Sequence, residues 1–200
     1  KFNKEDIIIK KKILERFLEA EYFSDIVELN KRHLNSILSI TEDYSGKKTL
    51  DMPFNKVIVR EYKELYFFHE TNYKKNKEIL DKNKVFNMFK IYLDKDGNVD
   101  NNFVMRINKK DIKLPLIIRT IEEDDIIILN NLGTKKVKDV FKDSKVKEEI
   151  RKYYPVITDS NNKIIFIPGI KKSNILKKKT DKYDIIITCE LKEEIWKIKK

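Results

Sequence analysis

The sequence predicts an α+β protein, in which an N-terminal helix pair with a small β-meander precedes a C-terminal mixed β-sheet domain with two short helices. Near the start of the 200-residue chain, apolar residues recur at helical spacing, and further on they recur with a period of two. Strand-like and helix-like stretches then follow one another without the regular alternation of a doubly wound sheet. The pattern therefore favours α+β over α/β.

Two helices and three strands are predicted in the first 72 residues. Apolar side chains follow a helical period within residues 7–20 and again within residues 26–40, where Ser24 or Asp25 is placed to cap the second helix. The stretch Asp43-Tyr-Ser-Gly46 breaks the helical period. The residues beyond it alternate as strands do. These strands are predicted at residues 50–52, 56–60 and 65–68.

The remaining chain is predicted to form two further parts. Residues 72–78 are charged and lack a period, which indicates a boundary. Residues 73–111 are predicted as a linker with a β-hairpin, because strand-like residues 86–93 and 98–107 flank the turn dipeptide Asp96-Gly97. Residues 112–200 are predicted as the C-terminal domain. Its strands are expected at residues 116–121, 125–129, 156–158, 163–167 and 183–189.

Composition points to a polyanionic partner but does not identify it. The net charge is +11, and it comes from 38 Lys and only 6 Arg in a chain also rich in Ile and Asn. Lysines that neutralise phosphates release counterions and so gain affinity for nucleic acid. An AT-biased genome would produce the same excess of lysine. An interaction or scaffold domain is therefore an alternative to a nucleic-acid-binding protein.

The cysteine content and the apolar runs predict a cytoplasmic protein. Cys189 is the sole cysteine and lies in a strand-like run, which is typical of a buried thiol in a reducing compartment. The longest apolar runs are far below the roughly 20 residues that span a bilayer, so we expect no membrane segment. The chain begins at Lys1 without a signal-peptide pattern, and we expect it to be a piece of a longer chain.

No catalytic residue, metal site or cofactor site is predicted. Asp94-Lys-Asp96-Gly97 lacks the later ligands of a calcium loop and is better interpreted as a hairpin turn. Glu122-Glu-Asp-Asp125 is interpreted as a solvated turn rather than as an acid/base pair. His33 and His69 have no cysteine or second histidine at ligand spacing, so both are expected to be structural. No glycine-rich phosphate loop occurs in the sequence.

A basic segment after Gly133 is the best candidate for binding. With Thr134 as N-cap, Lys135 and Lys136 would be the first helical residues, where each cation opposes the helix dipole at a cost of about 0.3 to 1 kcal/mol. A bound phosphate would turn this cost into an attraction. Lys138 and Lys142 would continue the same ridge, opposite an apolar stripe of the helix.

Further basic residues extend this candidate surface. A second glycine turn, Pro168-Gly-Ile-Lys-Lys-Ser173, also presents paired lysines. Arg119 stands alone among apolar strand residues, and it either reaches the same surface or lies on an exposed sheet face. The predicted nucleic-acid-binding residues are Arg119, Lys135, Lys136, Lys138, Lys142, Arg151, Lys171 and Lys172.

At these residues the sequence resembles the C-terminal part of tRNA(Ile)-lysidine synthase. The segment Leu132-Gly-Thr-Lys-Lys-Val-Lys-Asp-Val-Phe141 is the most specific, and residues 114–120, 150–157 and 165–173 follow the same family pattern. Upstream, residues 46–62 are similar to the domain that follows the catalytic core in that family. The sequence departs from the pattern at Ile121, where the family has a second arginine, and at Asp124, where it has glycine.

The resemblance implies an ATP-dependent ligase that adenylates an anticodon cytidine of an isoleucine tRNA and lets free lysine replace the oxygen. That chemistry, with ATP and magnesium, belongs to an N-terminal domain carrying a Ser-Gly-Gly-x-Asp-Ser loop, which this sequence lacks. The chain would then be inactive alone. Residues 1–72 would help to position the substrate, and residues 112–200 would bind the tRNA. A homodimer is one oligomeric state that the sequence allows, and the alternative function is a stand-alone basic RNA-binding module without catalytic activity.

Overall fold

The computed structural model describes residues 2–22, 30–42, 45–54, 56–61, 63–68, 73–94, 101–130, 133–175 and 182–192. It divides the chain into two compact units, residues 1–71 and 72–200. The predicted cap at Ser24 or Asp25, the dipeptide Asp96-Gly97 and His69 lie outside the described residues. Within the described part, no helix is both long and apolar enough to cross a membrane.

The first unit contains the predicted helix pair and meander. Helices α1 (Ile7–Tyr22) and α2 (Lys31–Glu42) precede an antiparallel sheet in which β2 (Lys56–Glu61) pairs with both β1 (Lys47–Met52) and β3 (Glu64–Phe68). The helices and the sheet share one apolar core. Its buried residues are Leu14, Leu18, Tyr22, Ile37, Leu38, Met52, Ile58 and Phe67.

Local hydrogen bonds define both ends of α2. Asn30 Oδ1 accepts hydrogen bonds from the amides of Arg32 and His33, while His33 Nδ1 accepts one from the Asn30 amide. This reciprocal cap places the start of α2 at Lys31 and gives His33 the expected structural role. The first predicted residues of this helix, 26–29, lie outside the described residues. At the other end, the buried Arg60 donates to the carbonyl oxygens of Ile40, Ser45 and Gly46, which satisfies backbone acceptors there.

The second unit is built on two sheets. The larger is a mixed sheet of seven strands, which are β4 (Lys77–Ile79), β8 (Ile117–Thr120), β9 (Ile126–Leu129), β10 (Gly133–Lys136), β11 (Pro155–Thr158), β12 (Ile164–Ile167) and β13 (Lys171–Lys172). They lie in the order β10-β9-β12-β11-β8-β4, with β13 also paired to β12. The contact between β12 and β9 is parallel, and the other pairs are antiparallel. The predicted mixed sheet and the α+β class are confirmed.

The smaller sheet has four antiparallel strands in the order β5-β6-β14-β7. They are β5 (Lys84–Phe86), β6 (Phe89–Leu93), β7 (Val104–Ile107) and β14 (Ile185–Leu191). Cys189 is 2% exposed on β14, as the sequence predicted for this thiol. Burial raises its pKa far above the ordinary value.

This topology corrects two predictions. The hairpin predicted across residues 86–107 is wrong, because β14 lies between β6 and β7 and pairs with both. Residues 73–111 are also not a linker, since β4 joins the larger sheet and β5 to β7 form most of the smaller one. Residues 112–200 therefore do not close on themselves. Their last strand completes a sheet whose other strands come from residues 84–107.

Two short helices lie in the second unit, as predicted. They are α3 (Val137–Asp143), which directly follows β10, and α4 (Glu148–Arg151). Val137, Val140 and Phe141 are buried, which confirms the predicted apolar stripe of α3. Among the described residues, 3-10 turns occur at Phe2–Lys4 in the first unit and at Lys109–Asp111 in the second.

Candidate nucleic-acid interface

The net positive charge is confined to the second unit. Residues 1–71 contain 13 Lys and Arg against 13 Asp and Glu, whereas residues 72–200 contain 31 against 20. The whole net charge of +11 therefore belongs to the second unit. A general excess of lysine, as a biased genome would give, does not by itself explain why one unit is neutral and the other strongly basic.

The basic segment after Gly133 begins as a strand, which corrects the predicted helix start. Gly133 has φ of 65°, and the four residues from Gly133 to Lys136 pair with Leu129 to Ile126 as β10. Thr134 is thus not a helix cap. Lys136 occupies the N-cap position of α3 with extended backbone and no capping side-chain bond. Lys135 and Lys136 precede the helix, so they do not oppose its dipole from within the first turn.

The lysines of β10 and α3 are accessible, and two of them have acidic neighbours. Lys136, Lys138 and Lys142 are exposed. Lys135 forms an ion pair with Asp143, and Lys142 Nζ lies 3.6 Å from Asp139 Oδ1. Such exposed pairs contribute little to stability. A phosphate could therefore replace these carboxylates as the partner of the lysines at small cost to the fold.

The second lysine pair follows the other glycine turn. Gly169 has φ of 74°, and its Cα lies so close to Phe103 that a Cβ would approach the ring to 3.0 Å. Lys171 and Lys172 then form β13 opposite Ile167 and Phe166. Lys171 is exposed and Lys172 is half-buried.

The two glycine turns lie at the same end of the larger sheet. Strands β9 and β12 are parallel, so their C-terminal ends, Leu129 and Ile167, point the same way. Gly133 pairs with Leu129, and Pro168-Gly169 directly follows Ile167. After β13, the Asn174 amide donates to the Ile128 carbonyl oxygen at 2.9 Å. Strand β9 therefore has the first basic segment on one side and the end of the second on the other.

Tyr154 joins the two basic elements, a role that the sequence analysis did not assign. Its ring centroid lies 5.0 Å from that of Phe141 on α3, and its hydroxyl donates to the Pro168 carbonyl oxygen at 2.7 Å. Burial, followed by the nearby Cys189 thiol, raises the pKa of the hydroxyl far above its ordinary value, so it remains a hydrogen-bond donor. The only local signal for this role is the Tyr-Tyr-Pro step between α4 and β11.

Arg151 is partly used within the fold. It is the last residue of α4 and is half-buried. Its Nε donates to the Val146 carbonyl oxygen at 2.8 Å, which ties α4 to the turn after α3. This bond uses only Nε. That Arg151 binds nucleic acid stays a prediction, and it concerns the other two guanidinium nitrogens.

The prediction that Arg119 reaches the binding surface is wrong. Its side chain is 1% exposed, and its donors are bound to Asp125, to Asn162 Oδ1 at 3.0 Å and to the Thr120 carbonyl oxygen at 3.0 Å. Arg119 neither reaches the basic surface nor lies on an exposed sheet face, because a buried carboxylate compensates its charge. Glu122, Glu123 and Asp124 are exposed in a turn as expected, whereas Asp125 is buried.

Comparison with known proteins identifies relatives of the second unit and of the whole chain. The profile of the TilS substrate C-terminal domain matches residues 116–187. The bifunctional protein TilS/HprT of Listeria innocua serovar 6a is 30% identical over 181 residues, which cover 86% of this chain and 28% of that protein. The tRNA(Ile)-lysidine synthase of Bacillus subtilis strain 168 is 44% identical over 73 residues, which cover 36% of this chain and 16% of that enzyme.

A longer alignment and a solved structure agree with these matches. The tRNA(Ile)-lysidine synthase of Bacillus cereus strain ATCC 10987 is 28% identical over 185 residues, covering 86% of this chain and 38% of that enzyme. A crystal structure of a TilS C-terminal domain superposes with a TM-score of 0.52 and 23% identity, covering 59% of this chain and 98% of that one. The latter shows a shared fold. The chain spans well under half the length of the relatives named.

Proposed function

We propose that the chain corresponds to the C-terminal part of a tRNA(Ile)-lysidine synthase and is the portion that binds the tRNA. The observation that carries the proposal is the charge division, since a neutral first unit is followed by a unit with a net charge of +11. Phosphates of an isoleucine tRNA would be the anionic partner. The stand-alone RNA-binding module is not favoured, because a bifunctional TilS/HprT protein and a tRNA(Ile)-lysidine synthase each align with 86% of the chain.

The proposed contact surface is formed by β10, by α3, which follows it, and by β13, with β10 paired to β9 and β13 paired to β12 in the larger sheet. Its cations are Lys135, Lys136, Lys138, Lys142, Lys171 and Lys172, with Arg151 at the edge of α4. Lysine contacts of this kind go to phosphates, so they fix the register of a nucleic acid without reading its bases. Arg119 is not part of this surface, because its guanidinium is buried.

The full-length protein, on this proposal, is a cytoplasmic ATP-dependent ligase that joins free lysine to an anticodon cytidine of an isoleucine tRNA. ATP and magnesium would be bound by the catalytic domain that carries the Ser-Gly-Gly-x-Asp-Ser loop. The 200 residues contain no such loop. The chain alone should therefore bind tRNA without modifying it, while residues 1–71 help to position the substrate.

Binding of an isoleucine tRNA measured against salt concentration tests this function. Neutralisation of several phosphates predicts that the logarithm of the association constant falls linearly with the logarithm of salt, with a slope of several units. A slope near zero would exclude an electrostatic interface. The catalytic part of the proposal is tested separately by transfer of labelled lysine, which the full-length protein should perform and the 200-residue chain should not.

A further inference from the structure

A polar cavity lies at the β4 edge of the larger sheet, on strands remote from β10 in the sheet order. Its volume is about 590 Å³, within the range of roughly 300 to 1,000 Å³ typical of small-ligand sites. The β4 side contributes the exposed Lys75, Asn76 and Lys77, and the end of β8 contributes the remainder. Those remaining lining residues are Arg119, Thr120, Ile121, Glu122 and Glu123.

Backbone hydrogen bonds hold the two sides of this cavity together. The Thr120 amide donates to the Asn76 carbonyl oxygen at 3.0 Å, and Lys77 pairs with Arg119 across the strands. The ion pair between Arg119 and Asp125 fixes the base of the cavity.

Two half-exposed tyrosines lie next to the residues that line the cavity. The ring centroids of Tyr73 and Tyr153 are 5.8 Å apart, and Lys152 Nζ lies 4.8 Å from the centroid of Tyr153. Tyr73 precedes Lys75 by two residues. Tyr153 precedes Tyr154, whose carbonyl oxygen accepts the Ile121 amide at 3.2 Å. The two rings therefore adjoin the cavity through these neighbours and are not among the residues that line it.

Asn87 brings the two tyrosine segments together. Its Nδ2 donates to the carbonyl oxygens of Lys74 at 3.0 Å and Tyr153 at 2.7 Å, while its Oδ1 accepts the Lys74 amide at 3.1 Å. The residue sits in the turn between β5 and β6 with φ of 47°, a conformation that asparagine tolerates better than most side chains. A turn of the smaller sheet thus joins residues 73–74 to residues 152–153.

This combination of groups matches an unpaired nucleotide better than a simple anion. Tyrosine faces stack on bases, and Lys75, Lys77 and Lys152 can contact the flanking phosphates. Glu122 and Glu123 would repel a free phosphate inside the cavity. Their carboxylates can instead accept hydrogen bonds from the exocyclic amino group of cytosine, adenine or guanine.

We propose that this cavity and the adjoining tyrosine pair together bind one unpaired nucleotide of the bound RNA, with its base stacked on Tyr73 or Tyr153 and an exocyclic amino group facing Glu122 or Glu123. The inference rests on the proposed function, because the duplex part of the RNA would be held by the lysines of β10, α3 and β13. The cavity adds a contact with a single-stranded end or bulge. It also adds a preference among bases, which the lysines cannot provide.

Fluorescence anisotropy with the whole 200-residue chain and three short labelled RNA duplexes tests the proposal. One duplex is blunt, one ends in an extension of four cytidines, and one ends in an extension of four uridines, each extension being tried on the 3′ and the 5′ strand. The cytidine extension should raise affinity about tenfold over the blunt duplex, in line with base–aromatic stacking. The uridine extension should raise it less, because uracil has no exocyclic amine.

Variants separate stacking from a general loss of folding. Tyr73→Leu combined with Tyr153→Leu should remove the gain from the extension and leave affinity for the blunt duplex unchanged, whereas the double phenylalanine variant should keep the gain. Equal affinity of the wild-type chain for blunt and extended duplexes would overturn the nucleotide site. Equal gains from cytidine and uridine would overturn the assignment of the glutamates. Failure to bind even the blunt duplex would overturn the proposed function instead.

Discussion

Arg119 and Asp125 form a two-pronged ion pair in the interior of the second unit. Arg119 Nη2 lies 2.6 Å from Asp125 Oδ1 and Arg119 Nη1 lies 2.8 Å from Asp125 Oδ2, with side-chain exposures of 1% and 7%. Asp125 also accepts the Glu122 amide at 2.7 Å. The pair therefore fixes the turn between β8 and β9, which carries one wall of the cavity at the β4 edge.

Asp125→Asn should destabilise the second unit strongly. The change removes the close carboxylate of the buried Arg119 guanidinium and leaves the exposed Glu122, whose Oε1 lies 3.7 Å from Arg119 Nε. Loss of one partner from a buried pair costs about 3 to 5 kcal/mol. Chemical denaturation of the variant against wild type measures this cost. Asp124→Asn is the matched control, because Asp124 is exposed in the same turn. Equal stability of the Asp125 variant and the control would mean that the pair is not a stabilising element.

Charge reversal on the α3 surface should weaken tRNA binding without unfolding the protein. Lys136→Glu combined with Lys138→Glu alters two exposed residues at the junction of β10 and α3. If each lysine neutralises one phosphate, the magnitude of the salt slope should fall by about two units. Exposed charges contribute little to stability, so the melting temperature should stay within a few degrees.

The control for this variant makes the same charge change in the neutral unit. Lys11→Glu combined with Lys12→Glu alters two exposed residues of α1. It lowers the net charge of the chain by the same amount, so any difference between the two variants reports position rather than total charge. An equal loss of affinity in both would contradict a localised interface on β10 and α3.

The regular parts of the fold could be predicted because their signals are local. The period of the apolar residues changes from helical to alternating between α2 and β1, and it places the helix pair and the meander correctly. The same period identifies Val137, Val140 and Phe141 as the buried side of α3. In each case the residues that carry the signal are neighbours in sequence as well as in the structure.

The errors have non-local causes. Gly133-Thr-Lys-Lys136 is compatible with a capped helix start, and only its pairing with β9 makes it a strand. Asp96-Gly97 favours a hairpin, but β14, about 90 residues further on, takes the position between β6 and β7. A single arginine in an apolar strand indicates an exposed side chain unless a buried carboxylate forms an ion pair with it. Asp125, on the other side of the turn after β8, forms that ion pair with Arg119.

Cys189 should react with a thiol reagent only after unfolding. It is 2% exposed, and burial holds its pKa far above an ordinary value near 9, so the reactive thiolate is scarce in the folded protein. At pH 8, a disulfide exchange reagent should modify the denatured chain promptly and the native chain far more slowly. Rapid reaction of the native protein would contradict the burial of β14.

The same thiol predicts how stability changes in alkali. Because the folded protein retains the proton to higher pH than the unfolded chain, this contribution to stability is present below about pH 9 and is lost as pH rises further. Cys189→Ala removes the titrating group. It should flatten the dependence of the unfolding free energy on pH between about 9 and 11, and an unchanged slope would assign the effect to other groups.

Tyr154→Phe should weaken tRNA binding through a residue that is itself buried. The ring contact with Phe141 stays, but the hydrogen bond to the Pro168 carbonyl oxygen is lost, and the turn that precedes Lys171 and Lys172 is released. Leaving a buried acceptor unsatisfied costs about 1 to 3 kcal/mol of stability. Tyr92→Phe is the control, because its hydroxyl donates to Glu190 in an exposed setting.

Two measurements distinguish positioning from a loss of fold in the Tyr154 variant. Affinity should fall at a temperature well below the melting transition of the variant, where the folded fraction equals that of wild type. Adding Lys171→Gln and Lys172→Gln should then cause a smaller further loss in Tyr154→Phe than in the wild-type background, because residues that act through one another are not additive. Fully additive losses would show that Tyr154 stabilises the unit without orienting the lysines of β13.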